Sequence, residues 1–165
     1  MVDTSRLELL LDLVSREDVH LLAVRERLLG DDYRVTPARM RSIVADAAGV
    51  DRLESFGAKF ARMQDTVADK LLPTILRGAG ENVGAAIDNL DRAARIGLIA
   101  DSEAWLEMRG LRNRLVHEYF DRPEDMAPAL EKAAQFTDDM HRDFASLRQF
   151  ARSRVGVRSV YDNGA

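Results

Sequence analysis

Positions 108–120 carry the stretch MRGLRNRLVHEYF, which predicts a helix with three different faces. On a wheel of about 100° per residue, one apolar stripe is suited to a core. Its members are Ala104, Trp105, Met108, Leu111, Leu115 and Val116. A second face, here called the motif face, groups Arg109, Gly110, Asn113, His117 and Phe120, whereas Arg114 and Glu118 point to solvent. Packing does not require Arg, Asn and His together, so we interpret the motif face as functional.

Spacing on this helix favours a site shared between two copies of the chain. Asn113 lies four residues before His117 and therefore on the same face. Arg112 lies five residues before His117, so about 140° separates the two side chains and one helix cannot easily close both around a small group. Two copies related by a two-fold axis could do so. Gly110, with Phe120 on the same face, would let a partner helix approach, so we expect a homodimer.

The chemistry available to such a cleft is RNA cleavage without a metal. An imidazole can exchange protons near neutral pH, and a guanidinium can bind a phosphate and stabilise the charge that develops on it. A purely structural interpretation stays open at this point: Arg112 as an ion-pair residue, Asn113 as a bridge to a loop, and His117 as an end residue favoured by the helix dipole.

The residues Arg112, Asn113 and His117 resemble the motif of the HEPN family, whose name abbreviates higher eukaryotes and prokaryotes nucleotide-binding. The family motif is Arg, a polar residue, three or more residues, then His. The resemblance implies a metal-independent endoribonuclease with Arg112 and His117 as catalytic residues. Asn113 and Arg109 would support them, and no cofactor is expected.

Tyr119 resembles a further motif position of the HepT-like toxin branch of that family. There the matching Tyr is a site of nucleotide attachment by a partner nucleotidyltransferase antitoxin. The resemblance therefore implies a toxin of a toxin–antitoxin pair, with Tyr119 as its modification site. Some HEPN domains instead are non-catalytic helical partners of nucleotidyltransferases, and this alternative stays open. A structural adaptor would need no motif face.

Composition sets limits on these functions. The length of 165 residues suits one domain. The net charge of −4 means that the protein surface is not basic overall, so RNA would have to bind a local patch of positive charge. The absence of Cys excludes thiol catalysis. We expect no metal site, because Asp65 and Asp69, one turn apart, are interpreted as a solvated helix face. No signal peptide or membrane span is evident, so a cytoplasmic protein without membrane contact is expected.

Hydrophobic periodicity predicts an all-α fold, an up-down bundle of four main helices plus one or two short ones. His20 and His141 are expected to be solvated, and Pro73 to kink its helix. A single domain is expected over residues 1–152, followed by a mobile tail over 153–165. The helices are predicted at about 3–29, 37–48, 51–72, 81–95, 103–120 and from the 120s to 152, the last with an irregular first turn at Pro128.

Overall fold

The computed structural model describes residues 4–117 and 122–156, and within these ranges the chain forms helices and turns without a β-strand. The all-α prediction is therefore confirmed. None of the described helices is both long enough and apolar enough to cross a membrane. The helices are α1 (Thr4–Leu29), α2 (Pro37–Ile43), α3 (Ala47–Asp65), α4 (Leu72–Gly78), α5 (Ala86–Arg95), α6 (Ser102–His117) and α7 (Ala127–Phe150).

The junction between α2 and α3 differs from the prediction. α2 begins as expected, with the Thr36 hydroxyl accepting from the Arg39 amide at 3.1 Å. Gly49, predicted as a helix end, instead lies in the first turn of α3, where Asp46 caps the helix by accepting from the Gly49 amide at 2.7 Å. A Cβ on Gly49 would lie 1.7 Å from the Ile43 carbonyl oxygen. The glycine thus permits close contact between two backbones and does not terminate a helix.

α3 and α4 are joined by a single turn of π-helix, Thr66–Leu71. The amide of Leu72 donates to the carbonyl of Val67, five residues earlier, directly before Pro73. Proline has no amide hydrogen, and its ring clashes with the carbonyl four residues before it, so the wider turn relieves a conflict that a regular helix would contain. The disturbance predicted at Pro73 is therefore a π turn on its N-terminal side.

Two further boundaries differ from the expected ones. α5 begins at Ala86 and not near 81, because the buried Asn89 side chain bonds to both the amide and the carbonyl of Gly84 (2.8 and 3.1 Å) and holds a non-helical loop. A 3-10 turn, Pro123–Met126, precedes α7. After α7 a π turn, Ala151–Val155, continues the helical path three residues beyond the predicted end at 152. Residues 157–165 of the expected tail lie outside the described part.

One hydrophobic cluster takes side chains from all seven described α-helices. α1 packs against α3 and α7, and α6 packs against α3, α5 and α7. At its centre, the rings of Trp105 and Phe136 meet edge to face at 5.3 Å, and Phe136 in turn meets Phe60 at 6.3 Å. These aromatic contacts tie α6, α7 and α3 together and so fix the position of the motif helix.

Replacing Gly49 by Ala should destabilise the protein by about 1–3 kcal/mol, because the new methyl group would overlap a backbone carbonyl that cannot move freely. Gly110→Ala is the matched control. Gly110 is exposed, and outside its own helix turn a Cβ there would meet no described atom within 4 Å, so alanine should raise the stability of the monomer by about 0.5–1 kcal/mol through helix propensity. Urea unfolding at one protein concentration, kept below that at which the chain dimerises, measures both; equal effects of the two substitutions would contradict the assigned role of Gly49.

Candidate functional site

The motif helix α6 is anchored at its N-terminal half. Asp101 caps it by accepting from the Glu103 amide at 2.9 Å. The Trp105 indole donates to Asp143 of α7 at 2.8 Å, and the Ala100 amide donates to the other oxygen of Asp143 at 3.2 Å. Burial raises the pKa of the Asp143 carboxyl. These bonds fix the rotation of α6 and therefore the direction of its motif face.

The apolar stripe predicted for α6 is seated in the core. Trp105, Met108 and Leu115 are buried. Ala104 and Leu111 are partly buried against the same cluster. The side chain of Val116 lies outside the described part. α3 approaches α6 closely here, since a Cβ on Gly57 would lie 3.2 Å from the carbonyl oxygen of Leu115.

Arg112, the predicted catalytic arginine, forms an ion pair with Asp65 at the C-terminal end of α3. The Arg112 side chain is 23% exposed and the Asp65 side chain 43%. One edge of the pair is therefore open to solvent. A guanidinium carries five N–H donors in a planar fork, so a single carboxylate leaves donors that an anion can use.

Arg109, predicted as a supporting residue, forms a second ion pair one turn away. Its Nη1 lies 2.9 Å from Oδ1 of Asp69, which belongs to the π turn. The side chains are 27% and 42% exposed. Asp65 and Asp69, interpreted as a solvated helix face, have side chains that are 43% and 42% exposed, and in addition each carboxylate pairs with one arginine of α6. The arginines stand three residues apart and the aspartates four apart, the two spacings that place side chains on one helix face.

The rest of the motif face is divided between open surface and undescribed residues. Asn113 and Gly110 are exposed, as is Arg114 on the predicted water side. Apart from its own helix turn, no atom of the described residues lies within 4 Å of the position that a Cβ on Gly110 would take. The backbone of His117 ends α6, but its side chain lies outside the described part, as do Tyr119 and Phe120 entirely. Within the residues described, no group of three or more His, Asp or Glu could hold a metal ion.

One polar contact was not anticipated. His141 of α7 was expected to be solvated, and its side chain is indeed 54% exposed, but its Nδ1 lies 2.6 Å from Oδ2 of Asp18 on α1. The Asp18 side chain is only 8% exposed. A signal for this pair exists in the sequence, because Asp18 falls between Val14 and Leu21 on the inward stripe of α1, where a carboxylate needs a partner.

Comparison with known proteins gives no assignment. The chain matches no protein-family model, no curated protein and no solved structure.

Removing the Asp65 carboxylate should release Arg112 for anions. We expect Asp65→Asn to bind a 2′-O-methyl oligoribonucleotide, which cannot be cleaved, at least about threefold more tightly at 50 mM salt, since each unpaired cation strengthens phosphate binding. The loss of stability should stay within about 1 kcal/mol, because the pair is partly exposed. Fluorescence anisotropy and thermal unfolding measure the two quantities.

Asp31→Asn is the control, since it removes the same charge from an exposed loop position. A similar gain in affinity for both variants would indicate a general charge effect. Unchanged affinity in Asp65→Asn would mean that the ion pair serves packing alone.

Proposed function

We propose that this chain is a metal-independent endoribonuclease of the HEPN family, HepT-like branch, acting as the toxin of a toxin–antitoxin pair. The observation that carries the proposal is that two arginines lie together on α6 and that one of them begins the sequence that resembles the family motif. Arg112 and Arg109 lie side by side on α6, next to the exposed Asn113 and Gly110, and five residues after Arg112 the chain provides His117. Under this proposal the long helices α1, α3, α6 and α7 form the family's up-down bundle.

In the proposed reaction, a general base removes the proton of an RNA 2′-hydroxyl and the resulting oxyanion attacks the adjacent phosphorus. The P–O5′ bond breaks, the 5′-oxygen takes a proton from a general acid, and a 2′,3′-cyclic phosphate remains. His117 of one subunit supplies the base and His117 of the other the acid. Arg112 binds the phosphate oxygens and stabilises the extra charge of the pentacoordinate state.

The two-fold arrangement rests on the open part of the motif face. Gly110 has free space above it, so the backbone of a second α6 could lie close, with Phe120 as an apolar contact beside it. Asn113 is exposed and could hydrogen-bond across the axis or to the RNA. The local charge of the two Arg–Asp pairs is balanced, so the RNA phosphate has to compete with, or add to, Asp65 and Asp69.

That charge balance also favours the second candidate, a non-catalytic HEPN helical partner that docks beside a nucleotidyltransferase. If Asp65 and Asp69 stay paired with the arginines, this part of α6 would serve as a docking surface and would not bind a phosphate. The two candidates share the fold and a nucleotidyltransferase partner and differ in whether RNA is cut.

Cleavage of RNA in the presence of EDTA decides between them. We expect the wild type to leave a cyclic phosphate or a 3′-phosphate. His117→Ala should lower the rate by roughly 10²-fold or more, as removal of a general acid–base group does. Arg112→Ala should cost about 2.7–4 kcal/mol of transition-state stabilisation if it acts like an oxyanion-hole donor.

Arg27→Ala is the control for the arginine, since it removes an exposed cation from α1, which packs mainly against α3 and α7. Sedimentation of the wild type should show a dimer at micromolar concentration. A strict monomer would contradict a cleft shared between two subunits. Equal cleavage by the wild type and His117→Ala would favour the non-catalytic docking partner.

The partner supplies a further test at Tyr119. Co-expression with a cognate nucleotidyltransferase should add the mass of one or more AMP units to Tyr119 and abolish toxicity, because the added phosphate would compete for Arg112. Tyr119→Phe removes the acceptor hydroxyl and should escape neutralisation. Tyr33→Phe, a change of the same kind on a ring that packs under Arg25, should not. Intact-mass spectrometry showing unmodified protein in a neutralised complex would mean inhibition by occlusion.

A further inference from the structure

A groove runs between α1 and α7, away from the motif face of α6. It encloses about 540 Å³, within the usual range of small-molecule sites. Both helices contribute cations and apolar surface to it. The residues used in the argument are Arg16, Asp18 and Val19 of α1 and His141, Phe144 and Arg148 of α7.

The groove contains a polar pair formed by Asp18 and His141. Asp18 is buried beneath His141, and the 2.6 Å contact to Nδ1 fixes the orientation of the imidazole. The Nε2 nitrogen is then the one left for a ligand. The second carboxylate oxygen of Asp18, Oδ1, is buried and has no hydrogen-bond partner among the described residues. Burying a carboxylate is costly, and the contact with His141 is the described interaction that offsets this cost for Asp18.

Cationic side chains stand on both walls of the groove. Arg148 lies over the Phe144 ring, 5.3 Å from its centroid, which holds the guanidinium against α7. Arg16, on α1, is partnered by no carboxylate in the described ranges. A second cavity of about 250 Å³ shares Arg16 with the first and continues to Lys59 and Arg62 of α3. Positive charge therefore extends along the groove in a protein whose net charge is −4.

Glu17, which lies in that second cavity, offsets only part of this charge, because four Arg and Lys side chains line the two cavities against two carboxylates, Asp18 and Glu17. It is buried and accepts from the Thr66 hydroxyl at 3.1 Å. Burial raises the pKa of Glu17, so its neutral form persists to higher pH than in water. The apolar part of the groove is provided mainly by Val19, which is 62% exposed, together with the small accessible part of Phe144, which is 2% exposed.

We propose that the α1–α7 groove binds a small phosphate monoester with an apolar body. The two guanidinium groups would take the phosphate oxygens in their planar forks, and His141 would donate through Nε2. The apolar body would cover Val19 and Phe144. The site does not use any residue of the proposed ribonuclease centre, so it stands or falls independently of that function.

Isothermal titration calorimetry with phenyl phosphate tests the proposal on the full chain. Phenyl phosphate should bind at least about tenfold more tightly than inorganic phosphate, which lacks the apolar body, and than benzoate, which offers a carboxylate. Arg16→Gln and Arg148→Gln should each weaken it roughly tenfold, the scale of one charge-assisted hydrogen bond. Arg6→Gln makes the same change about 15 Å along α1 and should leave binding unaltered.

The histidine ring resonances provide a second readout. Phenyl phosphate should shift the His141 signals in the wild type and in Arg6→Gln, and should not shift them in the Arg16→Gln/Arg148→Gln double variant, whose helicity is checked by circular dichroism. Equal affinity for benzoate would overturn the preference for phosphate. Absence of binding at millimolar phenyl phosphate, or binding that both arginine substitutions leave intact, would overturn the site.

Discussion

The close approach of α3 to α6 at Gly57 and Leu115 is the constraint on which the two ion pairs of α6 depend. A Cβ at position 57 would lie only 3.2 Å from the Leu115 carbonyl oxygen, so any larger residue there would require the two backbones to shift by a few tenths of an ångström. Three contacts give the relative direction of the helices: Gly57–Leu115, Asp65–Arg112 and Asp69–Arg109. The residue numbers rise along α3 and the π turn while they fall along α6, so the helices run antiparallel. The ion pairs can form only because the backbones already lie this close.

Around the π turn Thr66–Leu71, the segment that joins α3 to α4 contacts both α6 and α1. Asp65, just before the turn, reaches Arg112 on α6, whereas the adjacent Thr66 donates to the buried Glu17 on α1. Asp69 lies inside the turn and meets Arg109. A regular helix through this region would place Pro73 against the preceding carbonyl, so the proline sets the wider turn and the turn sets where these side chains point. The α6 ion pairs and the second cavity, which contains Glu17, are thus connected through one structural element.

Local patterns in the sequence predicted the helices, the apolar stripe of α6 and the start of α2 at Pro37, because these depend on residues within a few positions of one another. The role of Gly49 could not be predicted in this way, since its contact with Ile43 arises from the angle between α2 and α3. Likewise, the partners of Asp65, Asp69 and His141 come from other helices. Polar residues on an inward stripe, such as Asp18, indicate that a partner exists but do not identify it.

Burial separates two kinds of aspartate–cation contact in this chain. Asp65 and Asp69 are each more than two-fifths exposed, so water screens part of their attraction to the arginines, although the contacting atoms Oδ1 of Asp65 and Nη1 of Arg112 are themselves buried. Asp18 is almost fully buried, and removing His141 from it would leave an uncompensated carboxylate in the protein interior. Under the two proposals above, the first kind of contact would suit a surface that exchanges its anions, and the second a fixed side chain that orients a ligand. A chain of net negative charge would then hold phosphate at local sites without a basic surface overall.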